Sequence, residues 1–177
     1  MMNAWGLVIL LCWTAVQGEP GFKPLFNGKN LDGWKEASGK KEALDGKTEA
    51  YGGRFKVVED RLVIDPAVKG DLHIETAQSF AKDVTIKFEF KPGPKCNNDL
   101  FLRGTKFDIV PGNKELKNVK EGEWTALEIA VTGDKIEHKV AGETVRTTTL
   151  KPDAAATPFR IRAEIGEMEI RNLRAKE

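Results

Sequence analysis

Residues 84–90 read Val84-Thr85-Ile86-Lys87-Phe88-Glu89-Phe90, and this stretch decides the fold class. On an extended chain its four large apolar side chains fall on one face, and Thr85, Lys87 and Glu89 fall on the other. One buried face and one wet face is the signature of an antiparallel sheet. Working outward, Leu127, Ile129 and Val131 alternate with Ala126, Glu128 and Ala130. Phe159, Ile161, Ala163 and Ile165 alternate in the same way with Arg160, Arg162 and Glu164. Further strand-like runs are Arg54–Val58, Arg61–Asp65, Leu72–Thr76, Asp99–Arg103, Lys106–Val110, Ile136–Val140, Glu143–Thr149 and Met168–Leu173, making about eleven short strands. Gly133-Asp134, Gly142-Glu143 and Gly166-Glu167 sit between neighbouring runs, where tight hairpins need residues that tolerate positive φ. Glu59-Asp60 joins two more runs without a glycine. Gly39–Thr48 is at most a short helix, broken by Gly46. So many strands in one domain must stack as a sandwich or close as a barrel. The long connections Lys35–Gly53 and Pro111–Glu123 separate groups of hairpins, which points to an all-β, two-sheet antiparallel sandwich of the jelly-roll kind.

The first residues read as a targeting segment rather than as structure. Ala4–Val16 is an apolar run, shorter than the roughly 20 residues that cross a bilayer and of the length of a signal h-region. Its n-region carries no Lys or Arg. Val16-Gln17-Gly18 before the polar Glu19-Pro20 places cleavage after Gly18. Residues 1–18 are therefore expected to be a signal peptide and residues 19–177 a single domain, secreted or periplasmic, with no transmembrane segment once the leader is removed.

Composition excludes several classes of function. Lys plus Arg number 28 against 27 Asp plus Glu, so the basic excess of a nucleic-acid binder is missing. Cys96 is the only cysteine of the mature chain; it forms no internal disulfide and reads as a buried, inert thiol. There is no phosphate-cradling glycine loop and no nucleophile elbow. His73 and His138 have no metal-ligand spacing with each other or with Cys96. No metal site and no cofactor is expected, although a divalent cation held by loop carbonyls and carboxylates leaves no trace in sequence. Oligomeric state is not legible.

Strand parity nominates one polar surface. His73 and Glu75 face away from the core on one strand, Glu89 on another, Arg103 ends a third, and Asp108 alternates with Phe107 and Ile109 on a fourth. If these strands share a sheet, carboxylates and an arginine line one face. Carboxylates accept from sugar hydroxyls, arginine donates in a fixed fork, and paired carboxyls divide acid and base roles. The competing reading is the ordinary charged solvent face of a sheet. Trp124, which starts a strand, reads as core; Trp34 stays open between core and sugar stacking.

The opening Gly21-Phe22-Lys23-Pro24-Leu25-Phe26-Asn27-Gly28-Lys29-Asn30-Leu31-Asp32-Gly33-Trp34 resembles that of the 3-keto-disaccharide hydrolase domain family. Later pieces follow in the same order, among them Gly70–Thr76, Phe88-Glu89-Phe90, Asn97–Gly104, Trp124–Ile129 and Ile170–Arg174. The resemblance implies a concanavalin A-like lectin/glucanase sandwich and a carbohydrate partner, a 3-keto-glycoside cleaved by elimination and hydration. In that chemistry Glu89 and Asp108 are the candidate base and acid, and His73, Glu75, Asn97 and Arg103 the candidate substrate contacts. A glycan-binding module without catalysis and an envelope interaction domain are the alternatives on the same fold. Three departures from the family pattern stand out. Asn97-Asn98-Asp99 replaces Asn-Ser-Gly, Phe107-Asp108 replaces Tyr-Glu, and the 111–123 connection is short.

Overall fold

A computed structural model describes residues 19–81, 83–151 and 155–177. The expected signal peptide, residues 1–18, lies outside the described residues. Fourteen strands and no helix occur among the described residues. They are β1 (Lys23–Pro24), β2 (Trp34–Glu36), β3 (Glu49–Ala50), β4 (Phe55–Val58), β5 (Arg61–Ile64), β6 (Leu72–Phe80) and β7 (Val84–Pro92). The series continues with β8 (Asn97–Leu102), β9 (Thr105–Ile109), β10 (Thr125–Thr132), β11 (Lys135–Val140), β12 (Glu143–Thr149), β13 (Thr157–Ile165) and β14 (Met168–Lys176). A nine-stranded sheet runs β12-β11-β10-β7-β14-β5-β4-β3, with β1 also paired to β14; a five-stranded sheet runs β2-β6-β13-β8-β9. Every pairing is antiparallel. The two-sheet sandwich expected from alternation is the observed fold, and the short helix considered for Gly39–Thr48 is replaced by turns.

Alternation becomes the core directly. Val84, Ile86, Phe88 and Phe90 of β7 face inward and meet Phe159, Ile161 and Ala163 of β13, all buried. Phe88 and Phe159 bring ring centroids to 6.1 Å across the two layers. Burying side chains of this size stabilises by about 1.5–3 kcal/mol each, so the core can hold the domain without a disulfide. Cys96 is buried as expected, and burial pushes its thiol up to about 11.

The turns show why glycine is not always needed. Glu59 and Asp60 both take positive φ, 47° and 64°, closing the β4–β5 hairpin with side chains that tolerate the left-handed region. Gly166 is different, because a Cβ there would lie 2.7 Å from the Lys95 carbonyl oxygen.

The opening motif is architectural. It carries the chain from β1 in one sheet to β2 in the other. Asn27 Oδ1 accepts from the Lys29 and Asn30 N–H groups at 2.8 and 3.0 Å. Asp32 and Asp45 accept from the Gly46 and Gly33 N–H groups at 2.7 and 2.8 Å. Leu31 and Trp34 plug the core, and the Trp34 indole donates to the Leu25 carbonyl at 2.7 Å. The 35–53 connection is likewise packed: Leu44 is fully buried, and the Tyr51 hydroxyl donates to the His73 carbonyl at 2.8 Å.

Candidate functional site

The five-stranded sheet presents a charged outer face, and its register explains the composition. Arg160 stands opposite Glu75 and Phe101, Arg162 opposite His73 and Asp99. Lys35 faces Glu75, Lys106 faces Phe101, and Asp108 faces Asp99. Two rows therefore cross the sheet: Lys35-Glu75-Arg160-Phe101-Lys106 and His73-Arg162-Asp99-Asp108. Cross-strand neighbours on one face lie about 4.5–5.5 Å apart, so Glu75 pairs with Lys35 and Arg160 and Asp99 with Arg162, while Asp99 and Asp108 stand side by side as two carboxyls.

Arg162 is the hub. It donates from Nε and Nη2 to Asp71 at 2.6 and 2.7 Å, and from Nη1 to Asp99 Oδ2 at 2.6 Å. Hydrogen bonding to Asp71, the largest effect, raises its already high pKa and lowers that of Asp71. Glu75, 6% exposed, accepts from Arg160 at 2.9 Å and pairs with Lys35 at 3.2 Å.

Asp99 is fully buried, yet its Oδ1 has no hydrogen-bond partner; the Lys106 ammonium lies 3.6 Å away. Beside it Asp108 is 38% exposed at the side chain and bonded to Lys106. Burial acts to raise the Asp108 pKa, but the hydrogen bond and charge of the Lys106 ammonium outweigh it, holding the carboxyl below its usual range. One oxygen of a buried carboxyl is thus left facing an open, ionised carboxylate.

His73 stacks on Phe101 at 6.0 Å, its Nε2 lies 3.4 Å from Asp71, and its Nδ1 is buried without a partner. Burial, aided by Arg160 and Arg162, lowers its pKa, so the ring is neutral near pH 7. Asn97 opens β8 on the same face, two residues before Asp99. Its neighbour Asn98 is buried, donating to Cys96 Sγ at 3.3 Å and accepting from the Glu164 N–H at 2.9 Å.

Two expected site residues stand elsewhere. Glu89 points outward from β7 in the nine-stranded sheet, where its carboxylate accepts from Arg171 at 2.8 Å and Asn172 at 2.7 Å. Those bonds, Arg171 first, lower its pKa against the effect of burial. The sandwich is about 10 Å thick before either side chain is added. Glu89 and Asp108 therefore cannot flank one bond, since paired glycosidic carboxyls stand at most about 9.5 Å apart. The shared sheet that parity required is the expectation that fails. Arg103 lies in the β8–β9 turn, donating to the Ala81 carbonyl at 3.0 Å. It is four residues beyond Asp99, about 13 Å along an extended strand.

The structure resolves Trp34, left open by the sequence, and corrects the core expectation for Trp124. Trp34 is core, whereas Trp124 is half-buried on the outside of the nine-stranded sheet. Its ring lies under Arg171 at 4.0 Å and Lys91 at 5.2 Å. A strand-initial aromatic beside outward cations gains cation–π attraction without entering the core.

Asp71, Asp99, Arg160, Arg162, Lys35 and Lys106 were not singled out from sequence. Alternation marks Arg160 and Arg162 as outward, but only the register sets them beside His73 and Asp99. Among the described residues no group of three or more His, Cys, Asp or Glu is arranged to hold a metal ion. No helix among them is long and apolar enough to cross a membrane.

Solved structures share this fold. A candidate glycosyl hydrolase from Parabacteroides distasonis superposes with a TM-score of 0.69 at 16% identity, covering 88% of this chain and 93% of its own. The β-glucanase of Bacillus licheniformis gives 0.58 at 11% identity, covering 88% and 97%. Carbohydrate-binding module CBM66 of Bacillus subtilis gives 0.57 at 12% identity, covering 82% and 96%. No curated protein matches the sequence. Residues 21–118 match the 3-keto-alpha-glucoside-1,2-lyase-like domain, a span that holds the carboxylates of β8 and β9 and stops before the arginines of β13. The protein is carbohydrate-related, and it belongs to the 3-keto-alpha-glucoside-1,2-lyase-like domain family.

Proposed function

We propose that the chain cleaves 3-keto-glycosides by elimination across C1–C2 on the outer face of its five-stranded sheet. The observation that carries this reading is the Asp99–Asp108 pair: one carboxyl fully buried under Arg162, the other open and ionised, with Lys106 between them.

A ketone at C3 acidifies the C2 hydrogen, so an ordinary carboxylate can serve as base. Asp108 takes the C2 proton, and the C–H electron pair becomes the enolate on the C3 oxygen, which Lys106 stabilises as a nearby cation. Collapse of the enolate forms the C1=C2 bond and breaks the bond from C1 to the glycosidic oxygen. The proton held by Asp108 passes to that departing oxygen, leaving a 2-hydroxy enone and a free sugar; water then adds to the enone. His73 stands three strand spacings from Asp108, about 14 Å across the sheet, so it engages the leaving sugar rather than the reacting ring.

The test is product analysis with a 3-keto-disaccharide. Asp108→Asn is expected to lose about a hundredfold or more in turnover, the scale of a general base, while still binding substrate. Full turnover by Asp108→Asn, with loss in Glu89→Gln, would move the chemistry to the other sheet.

A glycan-binding role without turnover is the second reading. It is favoured by the pairing of the face itself, because Glu75, Asp99 and Asp108 each already meet a cation. Binding of the keto-sugar with no product from the native chain would select it. Export with cleavage after Gly18 belongs to the same proposal and is supported by the apolar run Ala4–Val16. N-terminal sequencing of the exported protein should read Glu19-Pro20-Gly21; retention of Met1 would overturn it.

A further inference from the structure

The outer face of the nine-stranded sheet carries an open groove of about 960 Å³, near the upper end of the roughly 300–1,000 Å³ of small-molecule sites. Its origin is legible in the residues. Ala126 is the outward position of β10 opposite Glu89, and Gly142 turns the chain between β11 and β12. Small side chains between long neighbours leave a trough.

Residues 19–26 build one wall. The Glu19 carboxylate accepts from Lys87 at 2.8 Å and Arg174 at 2.9 Å, and both cations lie over the Phe22 ring, at 4.9 and 5.5 Å. The alternation of charge continues through Glu128, 3.4 Å from Lys87 and 2.9 Å from Lys139. None of this machinery takes part in the elimination described above.

Charge sets the class of ligand. Three carboxylates (Glu19, Glu89, Glu128) line the groove against three cations (Lys87, Lys139, Arg174). With the two signs balanced, an ionic ligand gains no net Coulomb attraction. What the groove does offer is acceptor capacity: a carboxylate has about four lone-pair sites, and Glu89 receives both Arg171 and Asn172 on Oε2. Beside these acceptors lie the apolar surfaces of Phe22, Pro24 and Ala126. An apolar face next to a row of hydrogen-bonding groups is the complement of a neutral sugar ring, which has a C–H face and a hydroxyl edge.

We infer that this groove is a second carbohydrate-binding site, taking a neutral oligosaccharide on the face opposite the Asp99–Asp108 pair. It holds a glycan chain without reacting with it, and it does not depend on the lyase reading.

The experiment is an NMR titration of the full chain with maltohexaose, cellohexaose and, as an anionic counterpart, oligogalacturonate. At least one neutral probe is expected to shift the backbone amides of Ala126, Leu127, Gly142 and Asn172. Ala126→Trp fills the trough from an exposed position, so the variant folds, and it should weaken that response about tenfold or more. No response at these amides to either neutral probe at millimolar concentration overturns the site. Shifts confined to Asp99, Phe101 and Lys106 overturn it while supporting the opposite face, and a stronger response to oligogalacturonate overturns the neutral class.

Discussion

Arg162→Ala is expected to destabilise the domain by about 3–5 kcal/mol, with a fall in Tm of roughly 6–20 °C for a chain of this size. Removing this guanidinium leaves Asp99, fully buried, without the bond at 2.6 Å that Nη1 makes to its Oδ2. Its Oδ1 already has no hydrogen-bond partner. A buried carboxylate left with only the Lys106 ammonium at 3.6 Å, and no hydrogen bond, still costs far more than an exposed pair is worth. The same change frees Asp71, which is half-exposed and recovers its solvation in water, so Asp99 accounts for most of the loss. Two further variants separate the causes. Asp99→Asn in the Arg162→Ala background should restore part of the stability, because a neutral amide is cheaper to bury than an anion. Arg162→Lys should fall between, keeping charge without the fork. Chemical denaturation of the four proteins measures all of this. A loss below about 1 kcal/mol for Arg162→Ala would mean that the pair contributes no more than a surface bridge.

Acidification from pH 6.5 should destabilise the fold before its carboxylates begin to titrate, and His138→Phe should remove much of that dependence. His138 is 2% exposed, lies flat on Phe107 at 4.4 Å, and has an unpartnered Nδ1. Burial, with a smaller contribution from the Arg146 charge, lowers its pKa from 6.5 to about 3. Between those two values the unfolded chain binds a proton that the folded chain does not. Stability is therefore complete above pH 6.5 and declines as pH falls, by about 1.4 kcal/mol per pH unit for this one group. That is about 2 kcal/mol by pH 5, and on the order of 4–5 kcal/mol by the folded pKa. His73, also lowered by burial, adds to the same limb. His138→Phe should thus reduce the slope between pH 6.5 and 5 by about one proton without abolishing it. An unchanged slope would show that His138 is protonated or solvated in the folded state. The consequence is local, because His138 and Phe107 join the two sheets at one edge, where Arg146 also donates to the Lys106 carbonyl.

Much of the fold was legible because a strand's side-chain period is two, and the chain keeps that period wherever one face is buried. The β7 stretch, the β10–β11–β12 hairpins and the β13–β14 hairpin are all readable in this way. The short strands β1, β2 and β3 were not, since two or three residues are too few to show a period. The places of β1 and β2 come with the Asn27, Asp32 and Asp45 hydrogen bonds that clamp the crossover, and that of β3 from its pairing with β4. Trp124 was misread for a related reason. Hydrophobicity favours the core, but the alternative of two cations on its ring is invisible until β7 and β14 lie beside it.

The candidate site divides the same way. Alternation by itself determined that His73, Glu75, Glu89, Asp108, Arg160 and Arg162 all point away from a core. It also determined that the strands must stack as a sandwich or close as a barrel, because that many apolar faces need covering, and the long connections 35–53 and 111–123 favoured the sandwich. Which outward residues meet was decided only in three dimensions. Parity fixes the side of a strand but carries no information about its neighbours, so it could not tell that β7 lies in one layer and β6, β8, β9 and β13 in the other. That partition follows from long-range pairing, such as Arg162 opposite Asp99 across 63 residues of sequence. It places Asp108 beside a buried carboxyl and puts Glu89 on the far side of the sandwich.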